Sequence, residues 1–362
     1  MRPGRLLLLL WRAPARGAAD SLVAARDEGA AALVAAARPE GGWRSETYGL
    51  MRSGRSLTPF VLHALARSGR PIPPEVLEGA FAFLDASTTE AGAIAAGDGV
   101  ADFPNYATGF AVLALCELRP PGWEARVRRM VEYLLADQLT EDLDWRPEDP
   151  AYGGWGFGGP RRRRGQPVEP DLSRTVVVLE ALRAAREVAG LESHAVWAKA
   201  RRFAETCQAA GDGGGFLFNP VDLSSNKTAF LHPERERPVP YGTATVDGLR
   251  ALLLCGAAPG EDPVRRAIAW LEAHPGLDAP GGFDGGEPRW ELGLRFYWWW
   301  SLARASRTLP EPLVPDWKAE LAGRVLSMPH EGGLWANPVG LSREDDPLIA
   351  TAFSLMILAD CR

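Results

Sequence analysis

The sequence predicts an all-α fold, an (α/α)6 barrel in which six outer and six inner helices form two concentric rings. A glycine-aromatic turn, complete at Gly153 to Phe157, recurs along the chain. Two helical stretches separate successive turns, and no stretch alternates in the manner of a β-strand. Such a unit cannot bury its apolar face alone, so the units must stack or close into a ring. An open superhelix of the same pairs is the alternative architecture.

The turns divide the chain into six units. Glycine suits these corners because it adopts positive φ at little cost. An interval twice the usual length follows the first turn, and a degraded copy is expected inside it, at Gly97-Asp98-Gly99. The other copies are Gly41-Gly42-Trp43, Gly213-Gly214-Gly215-Phe216, Gly281-Gly282-Phe283 and Gly332-Gly333-Leu334-Trp335.

The first helix of each unit is amphipathic, which predicts an outer position with one solvated face. These helices are expected at Ala19 to Ala37, Pro74 to Asp85, Trp123 to Asp137, His194 to Gln208, Asp262 to His274 and Asp316 to Ser327. The second helix is apolar nearly all round, which predicts burial on more than one side. These are expected at Leu57 to Arg67, Tyr106 to Leu118, Ser173 to Ala189, Thr243 to Cys255, Leu294 to Arg307 and Pro347 to Ala359.

Composition sets broader limits on function. The 362 residues are 46% apolar and 24% charged, and the repeat predicts a single domain of six helix pairs over residues 19–362. A formal charge of -6 gives a nucleic-acid partner no electrostatic support, and no stretch after the leader is apolar and long enough to span a membrane. Residues 1–18 have the arginines and apolar run of a signal peptide, although the run is short. Export to the periplasm or beyond is expected, with the cytoplasm as the alternative.

The inner helices of such a barrel begin at one mouth, where a ligand would enter. The residues expected to line this cavity are Trp155, Phe157, Ser173, Tyr241, Thr243, Tyr297, Trp298 and Asp346. Asp171 and Asp346 can equally cap helices, and for Asp346 before Pro347 capping is the preferred interpretation. Trp155, like Trp43 and Trp335, is interpreted foremost as packing. Asp247 lies inside an apolar helix, where an acid is costly to bury, and is the strongest catalytic candidate.

The turns and the inner helices that follow them resemble the prenyltransferase and squalene oxidase repeat. This α/α toroid is shared by squalene/hopene cyclases and protein prenyltransferase β-subunits. The resemblance extends from Ala19 to Cys361, and the segments YGGWGFGG, DLSRT, YGTATVDG, FYWWWS and DDPLIATA are similar to a bacterial single-toroid branch without an assigned reaction. It implies the fold, and each activity of the family has to be tested at its own residues.

The cyclase activity implies a D-x-D-D-T motif whose middle acid protonates a polyene. The matching stretch is Asp171-Leu172-Ser173-Arg174-Thr175, which keeps the first acid and the threonine but has Ser173 and Arg174 in place of the other two acids. Asp171 therefore remains a catalytic candidate beside Asp247, while ordinary squalene cyclisation is not expected.

The prenyltransferase activity implies a zinc site made by an Asp and a Cys two residues apart, with a His from the next inner helix. Asp247-Gly248-Leu249 keeps the acid and lacks the thiolate, and no His occurs in Tyr297 to Trp300. One carboxylate does not hold zinc, so neither a metal nor another cofactor is expected.

Three functions stay open, and the sequence does not decide whether the protein is an enzyme. The first is an isoprenoid-handling enzyme of the cyclase or transferase type with altered acid chemistry. The second is a non-catalytic toroid that binds an apolar ligand or a partner protein. The third is a glycan-active (α/α)6 enzyme, which needs two carboxylates about 5 to 9.5 Å apart. The four consecutive arginines Arg161 to Arg164 are expected to be solvated, with an anion site as the alternative.

Overall fold

The structure is a computed structural model that describes residues 15–95, 103–192, 194–229, 231, 237–283 and 288–362. It confirms an α/α toroid. The outer helices are α1 (Ala15–Ala35), α3 (Pro74–Ser87), α5 (Trp123–Ala136), α7 (Val196–Ala209), α9 (Asp262–Ala273) and α12 (Trp317–Ser327). The inner helices are α2 (Leu57–Ser68), α4 (Pro104–Leu118), α6 (Leu172–Ala189), α8 (Gly242–Leu254), α11 (Arg295–Thr308) and α13 (Pro347–Asp360). Each lies within a few residues of its predicted position.

The inner ring is closed. Each of α2, α4, α6, α8, α11 and α13 packs against the next, and α13 returns to α2. The outer helix α5 packs against α4 and α6, and α1 packs against both α2 and α13. This closure rules out the open superhelix and places the first and last helix pairs side by side.

The remaining elements of the described ranges are short. A helix α10 (Trp290–Gly293) precedes α11, and four 3-10 turns lie in the loops, among them Gly49–Met51, Leu223–Ser225 and Gly340–Ser342. The strands β1 (His330–Glu331) and β2 (Leu334–Trp335) form one antiparallel hairpin that pairs His330 with Trp335. None of the described helices combines the length and hydropathy needed to cross a bilayer.

Aromatic side chains fix the turns to both rings. The indole Nε1 of Trp43, Trp155 and Trp335 donates to the carbonyls of Leu33, Leu134 and Val325 near the end of the preceding outer helix. Each of these three indoles is fully buried. They are therefore wedges between rings, which agrees with the packing interpretation of these three residues.

A threonine of the inner helix holds the same turn by its main chain. Thr58, Thr175 and Thr351 accept a hydrogen bond from the main-chain N–H of Trp43, Trp155 and Trp335. Thr245 does the same for Phe216, and Thr108 for Ile94. The contact that recurs is thus a threonine hydroxyl of the inner helix bonded to the turn.

The second turn differs in place from the prediction. Residues 97–99, where the degraded copy was expected, lie outside the described residues, as do residues 1–14 of the leader. The structure forms the equivalent corner earlier, at Gly92-Ala93-Ile94, where Gly92 has φ +92° and Ile94 bonds to Thr108. Isoleucine occupies the aromatic position here, so this copy lacks the glycine-aromatic pattern of the other turns.

In five of the six turns a glycine allows the turn to press on the outer helix of the next unit, and the turn at Gly281 is the exception. An added Cβ on Gly153, which has φ +86°, would lie 1.9 Å from the carbonyl oxygen of Lys199 in α7. The last turn repeats the contact on the first helix, because a Cβ on Gly333 would lie 2.7 Å from the carbonyl oxygen of Glu28 in α1. The ring is therefore closed by the same corner that links its internal units.

Candidate functional site: an aromatic cavity with a buried acid

A cavity of about 300 Å³ opens where the inner helices begin. Its wall is predominantly apolar and contains eight aromatic side chains. These are Phe60, Phe103, Tyr106, Phe110, Phe218, Tyr241, Tyr297 and Phe353. Its polar groups are few and come from Ser56, Ser173, Lys227, Thr243, Asp247, Ser342, Arg343 and Glu344. An apolar concavity with a few convergent polar groups is the usual form of a small-molecule site.

Asp247 lies at the floor of this cavity. It is the sixth residue of α8, about 8 Å below the first at 1.5 Å per residue. Three side chains donate to its carboxyl group: Tyr297 Oη to Oδ2 at 2.7 Å, Ser301 Oγ to Oδ1 at 2.6 Å and Arg250 Nη1 to Oδ1 at 3.0 Å. Burial raises the pKa of Asp247 above its ordinary value, although the three donors act in the opposite direction.

Glu344 is a second acid on the wall, and sequence reasoning missed it. Its Oε2 accepts from the N–H of Phe296 and from Asn337 Nδ2, and its Oε1 accepts from the N–H of Tyr297. These N–H groups belong to the first turn of α11, whose own N-cap residue Leu294 offers no side-chain bond. Glu344 therefore caps a helix distant in sequence, for which no local signal exists. Burial raises its pKa to about 7.

Asp171 lies behind the cavity. It is the N-cap of α6, where Oδ1 accepts from the N–H of Arg174 at 2.8 Å and from Ser173 Oγ at 2.9 Å, and Oδ2 lies 2.8 Å from the Arg174 guanidinium. Ser173 itself is on the cavity wall, in the position of the cyclase proton donor. The stretch that resembles the cyclase motif thus presents a hydroxyl to the cavity and keeps its carboxylate for capping.

Four of the predicted cavity residues lie elsewhere. Trp155 is a wedge between the rings, and Asp346 caps α13 through the N–H of Leu348 at 3.0 Å. Trp298 points outward and donates to the carbonyl of Gly276. Phe157 is one layer behind the wall, between Arg174 and the cavity residue Phe103. Ser173, Tyr241, Thr243, Tyr297 and Asp247 line the cavity.

Two cations on the wall were also missed. Lys227 Nζ lies 5.0 Å from the ring centre of Phe218 and 4.7 Å from that of Trp290. The Arg343 guanidinium lies 5.2 Å from the ring centre of Phe103 and 5.8 Å from that of Tyr48. Both come from loops whose course the helical periodicity does not predict. Both belong to the mouth end of the cavity, above Asp247.

A column of charges runs from Asp247 toward the far end of the ring. Arg250 joins Asp247 to Glu180 at 2.9 Å, and Glu180 accepts from Arg304 at 3.0 Å. Asp360 continues the column by pairing with Arg304 at 3.7 Å and with Arg67 at 2.6 Å. Burial alone would raise the pKa of Glu180, but Arg304 and Arg250 outweigh it and hold that pKa at about 2.

The column ends in a second cavity of about 420 Å³ at the carboxyl ends of the inner helices. Five arginines and two glutamates are among its lining residues, with the buried His63. Carbonyl groups point out of helix ends of this kind, and the arginines satisfy some of them, as Arg183 does for Leu254 at 2.6 Å. The far cavity is therefore polar where the first is aromatic.

Three further features concern the arginine run, the cysteines and metal-ligating side chains. Within the Arg161 to Arg164 run, Arg163 pairs with Asp144 at 2.6 Å and Arg164 with Asp149 at 2.7 Å. All four cysteines are free thiols. No group of three His, Cys, Asp or Glu side chains in the described ranges comes together as metal ligands would.

Comparisons with known proteins give the fold a context. No family model matches the chain, and no curated protein matches it. Among solved structures, a ligand-free variant of the type II terpene cyclase MstE from Scytonema is 16% identical with a TM-score of 0.58, covering 95% of this chain and 98% of that one. A complex of another MstE variant with geranylgeranyl dihydroxybenzoate has a TM-score of 0.55 at 14% identity, covering 96% and 98%.

A heparin-specific unsaturated glucuronyl hydrolase is similar to the same degree. It has a TM-score of 0.60 at 11% identity, covering 94% of this chain and 96% of that one. Because terpene cyclases and glycan-active enzymes both match at such low identity, these similarities show the α/α toroid and leave the reaction to the site.

Proposed function

We propose that this protein is a terpenoid-cyclase-like enzyme that takes an isoprenoid chain into the aromatic cavity and protonates it from Asp247. The observation that carries the proposal is the buried Asp247 at the floor of a cavity whose wall contains eight aromatic side chains. An apolar chain gains free energy from such a wall by leaving water. A terpene cyclase with the same fold and an isoprenoid substrate supports the choice of ligand.

The chemistry follows from the bonds around Asp247. Burial raises the pKa of Asp247 above its ordinary value, which makes the protonated acid more accessible than it would be in water. The donors Tyr297, Ser301 and Arg250 stabilise the carboxylate that remains after transfer, which makes the acid stronger than burial alone would. The alkene π electrons take the proton from the O–H bond of Asp247, which forms the new C–H bond and leaves the carboxylate, and a second double bond attacks the resulting cation to close a ring. A C–H bond beside the final cation then breaks to form a double bond. Its proton passes to water and water returns a proton to Asp247, so the product is an isomer of the substrate.

The aromatic wall contributes to the same step. Ring faces carry negative potential and stabilise a cation that lies against them. Phe60, Phe110 and Phe353 form an edge-to-face cluster with centroid distances of 4.9 Å from Phe60 to each of the other two. Such a wall excludes water from the cation until the ring has closed.

The glycan-active alternative meets a specific difficulty at the second acid. The carboxylates on the described wall are Asp247 and Glu344, and both oxygens of Glu344 already accept bonds that cap α11. A glycosidase needs its second carboxylate free to act as base or nucleophile.

The test is turnover of purified protein with linear isoprenoids of ten to thirty carbons, with products analysed by mass spectrometry. We expect a product isomeric with its substrate, and we expect Asp247→Asn to lower the rate by at least about 100-fold, the usual scale for a lost general acid. Asp137→Asn is the matched control. Asp137 is buried like Asp247 and accepts a hydrogen bond from Asn105 Nδ2, but it lies outside the cavity. Equal activity in Asp247→Asn and wild type would overturn the proposal.

A further inference from the structure

We infer that the ligand of this cavity carries an oxyanion head group, which Lys227 and Arg343 hold at the mouth while its apolar chain extends toward Asp247. The inference rests on the proposed function and adds the substrate class. It starts from two cationic side chains on a predominantly apolar wall.

Lys227 has no counterion among the described residues. Its Nζ has a weak bond to the carbonyl of Ser225 at 3.4 Å and otherwise faces the rings of Phe218 and Trp290. Within the described ranges, no carboxylate lies within ion-pair distance of it. Burial lowers the pKa of Lys227. Asp171 acts in the opposite direction, and its carboxylate is already paired with Arg174. A half-buried ammonium of this kind is stabilised by an anion placed beside it.

Arg343 is in the same condition. It stacks against Phe103 and Tyr48, and it too has no carboxylate partner in the part of the chain that the structure describes. Its backbone has φ +66°, and Phe103 has φ +49°, so two non-glycine residues in the left-handed region meet at this rim. Such conformations cost free energy and concentrate at ligand sites.

The two cations line the same cavity. Repulsion from Arg343 is among the causes that lower the pKa of Lys227, after burial and repulsion from Arg174. The inner helices begin at this end of the cavity, and their N-terminal N–H groups add positive potential to the mouth. Both acids of the wall are already bonded to other groups, Asp247 to Arg250 at 3.0 Å and Glu344 to the main chain of α11.

Phosphate, diphosphate and carboxylate share the oxyanion chemistry that a Lys and Arg pair binds. The head group would therefore anchor one end of the substrate and fix how far the chain reaches into the cavity. Substrate length and the position of the protonated double bond would then be selected together, since Asp247 lies at a fixed depth below the mouth.

Binding to four fifteen-carbon probes tests this without requiring turnover. Farnesol is the neutral probe, and farnesoic acid, farnesyl monophosphate and farnesyl diphosphate are the anionic ones, each titrated calorimetrically. We expect at least one anion to bind about tenfold or more tighter than farnesol, and to weaken as salt rises. The order among the three anions distinguishes carboxylate from phosphate recognition.

Matched variants locate the effect. Lys227→Gln and Arg343→Gln should each lower the affinity for the anion about tenfold and leave the affinity for farnesol unchanged. Lys318→Gln and Arg119→Gln are the controls: Lys318 stacks on Trp317, and Arg119 stacks on Trp123 with φ +47°, both outside the cavity wall. These controls should bind every probe as the wild type does.

Two outcomes separate the inference from the function on which it rests. Equal affinity for farnesol and all three anions, or unchanged anion affinity in both wall variants, overturns the oxyanion site while leaving cyclisation of a neutral chain possible. Tight binding of an anion that depends on Lys227 and Arg343, without conversion of any of the isoprenoids tested, supports the oxyanion site and overturns the proposed enzymatic function.

Discussion

At the scale of single residues, the core holds titratable groups in states that water would not favour. His63 is buried among the inner helices, and its Nδ1 has no hydrogen-bond partner among the described residues. The centre of its ring lies 5.9 Å from that of Phe110. Burial, with repulsion from Arg304 and Arg67, lowers the pKa of His63 to about 3. The folded protein therefore keeps this imidazole neutral at pH values where an unfolded chain would protonate it.

This difference predicts a pH dependence of stability. Between about pH 6.5 and pH 3 the unfolded His63 binds a proton that the folded one does not, so its contribution is complete above pH 6.5 and is lost as pH falls, at up to about 1.4 kcal/mol per pH unit. His63→Phe should remove that loss. Urea unfolding of wild type and variant at pH 6 and pH 4 measures this effect. The difference between their free energies of unfolding should change between the two pH values.

His63→Gln separates titration from packing. It should share the pH dependence of His63→Phe while differing in absolute stability, because glutamine leaves a poorer fit beside Phe110. Parallel curves for wild type and both variants would contradict the assigned state of His63.

At the scale of elements, two recurring contacts hold the turns. A threonine hydroxyl holds each of five turns, and glycine lets the turn approach a carbonyl of the next outer helix. Two costs are combined at such a glycine, the positive φ and the close approach.

A pair of alanine substitutions separates these costs. Gly165 has φ +87° with nothing within 4 Å of an added Cβ, so Gly165→Ala should cost about 1 to 2 kcal/mol from backbone conformation alone. Gly153→Ala meets the same φ and a carbonyl oxygen at 1.9 Å, so it should cost clearly more. Free energies of unfolding from urea titrations test the order, and equal losses would show that the close approach is unimportant.

Helical periodicity in the sequence predicted the positions of the helices well. It did not predict the rotation of each helix about its axis or the course of the loops. Asp247 could be identified because an acid interrupts an apolar helix. In Tyr297 to Trp300, however, each residue points about 100° from the last, and only the structure shows that Tyr297 faces the cavity while Trp298 and Trp299 bond outward. Lys227, Arg343 and Glu344 lie in loops, where no periodic pattern assigns a direction.

At the scale of the whole molecule, the last turn and the first helix complete the ring. Gly333 presses on α1 at Glu28, and α1 packs against both α2 and α13. Destabilising this one corner should therefore affect both ends of the sequence.

Hydrogen exchange can detect that coupling. Gly333→Ala should speed amide exchange in α1 and in α13, since the new Cβ has to move away from the Glu28 carbonyl. Gly165→Ala should leave both helices protected. Faster exchange confined to residues next to Gly333 would show that the two ends are not coupled through this contact.

The closed ring also bears on how freely the chain could be reordered. Every inner helix has two inner neighbours, and α13 and α2 are neighbours in the same way as helices adjacent in sequence. A circular permutant that joins α13 to α1 by a linker and opens the exposed loop at Arg162 would retain each of these pairs. The fold is thus compatible with several starting points, and its architecture is cyclic even though its chain is linear.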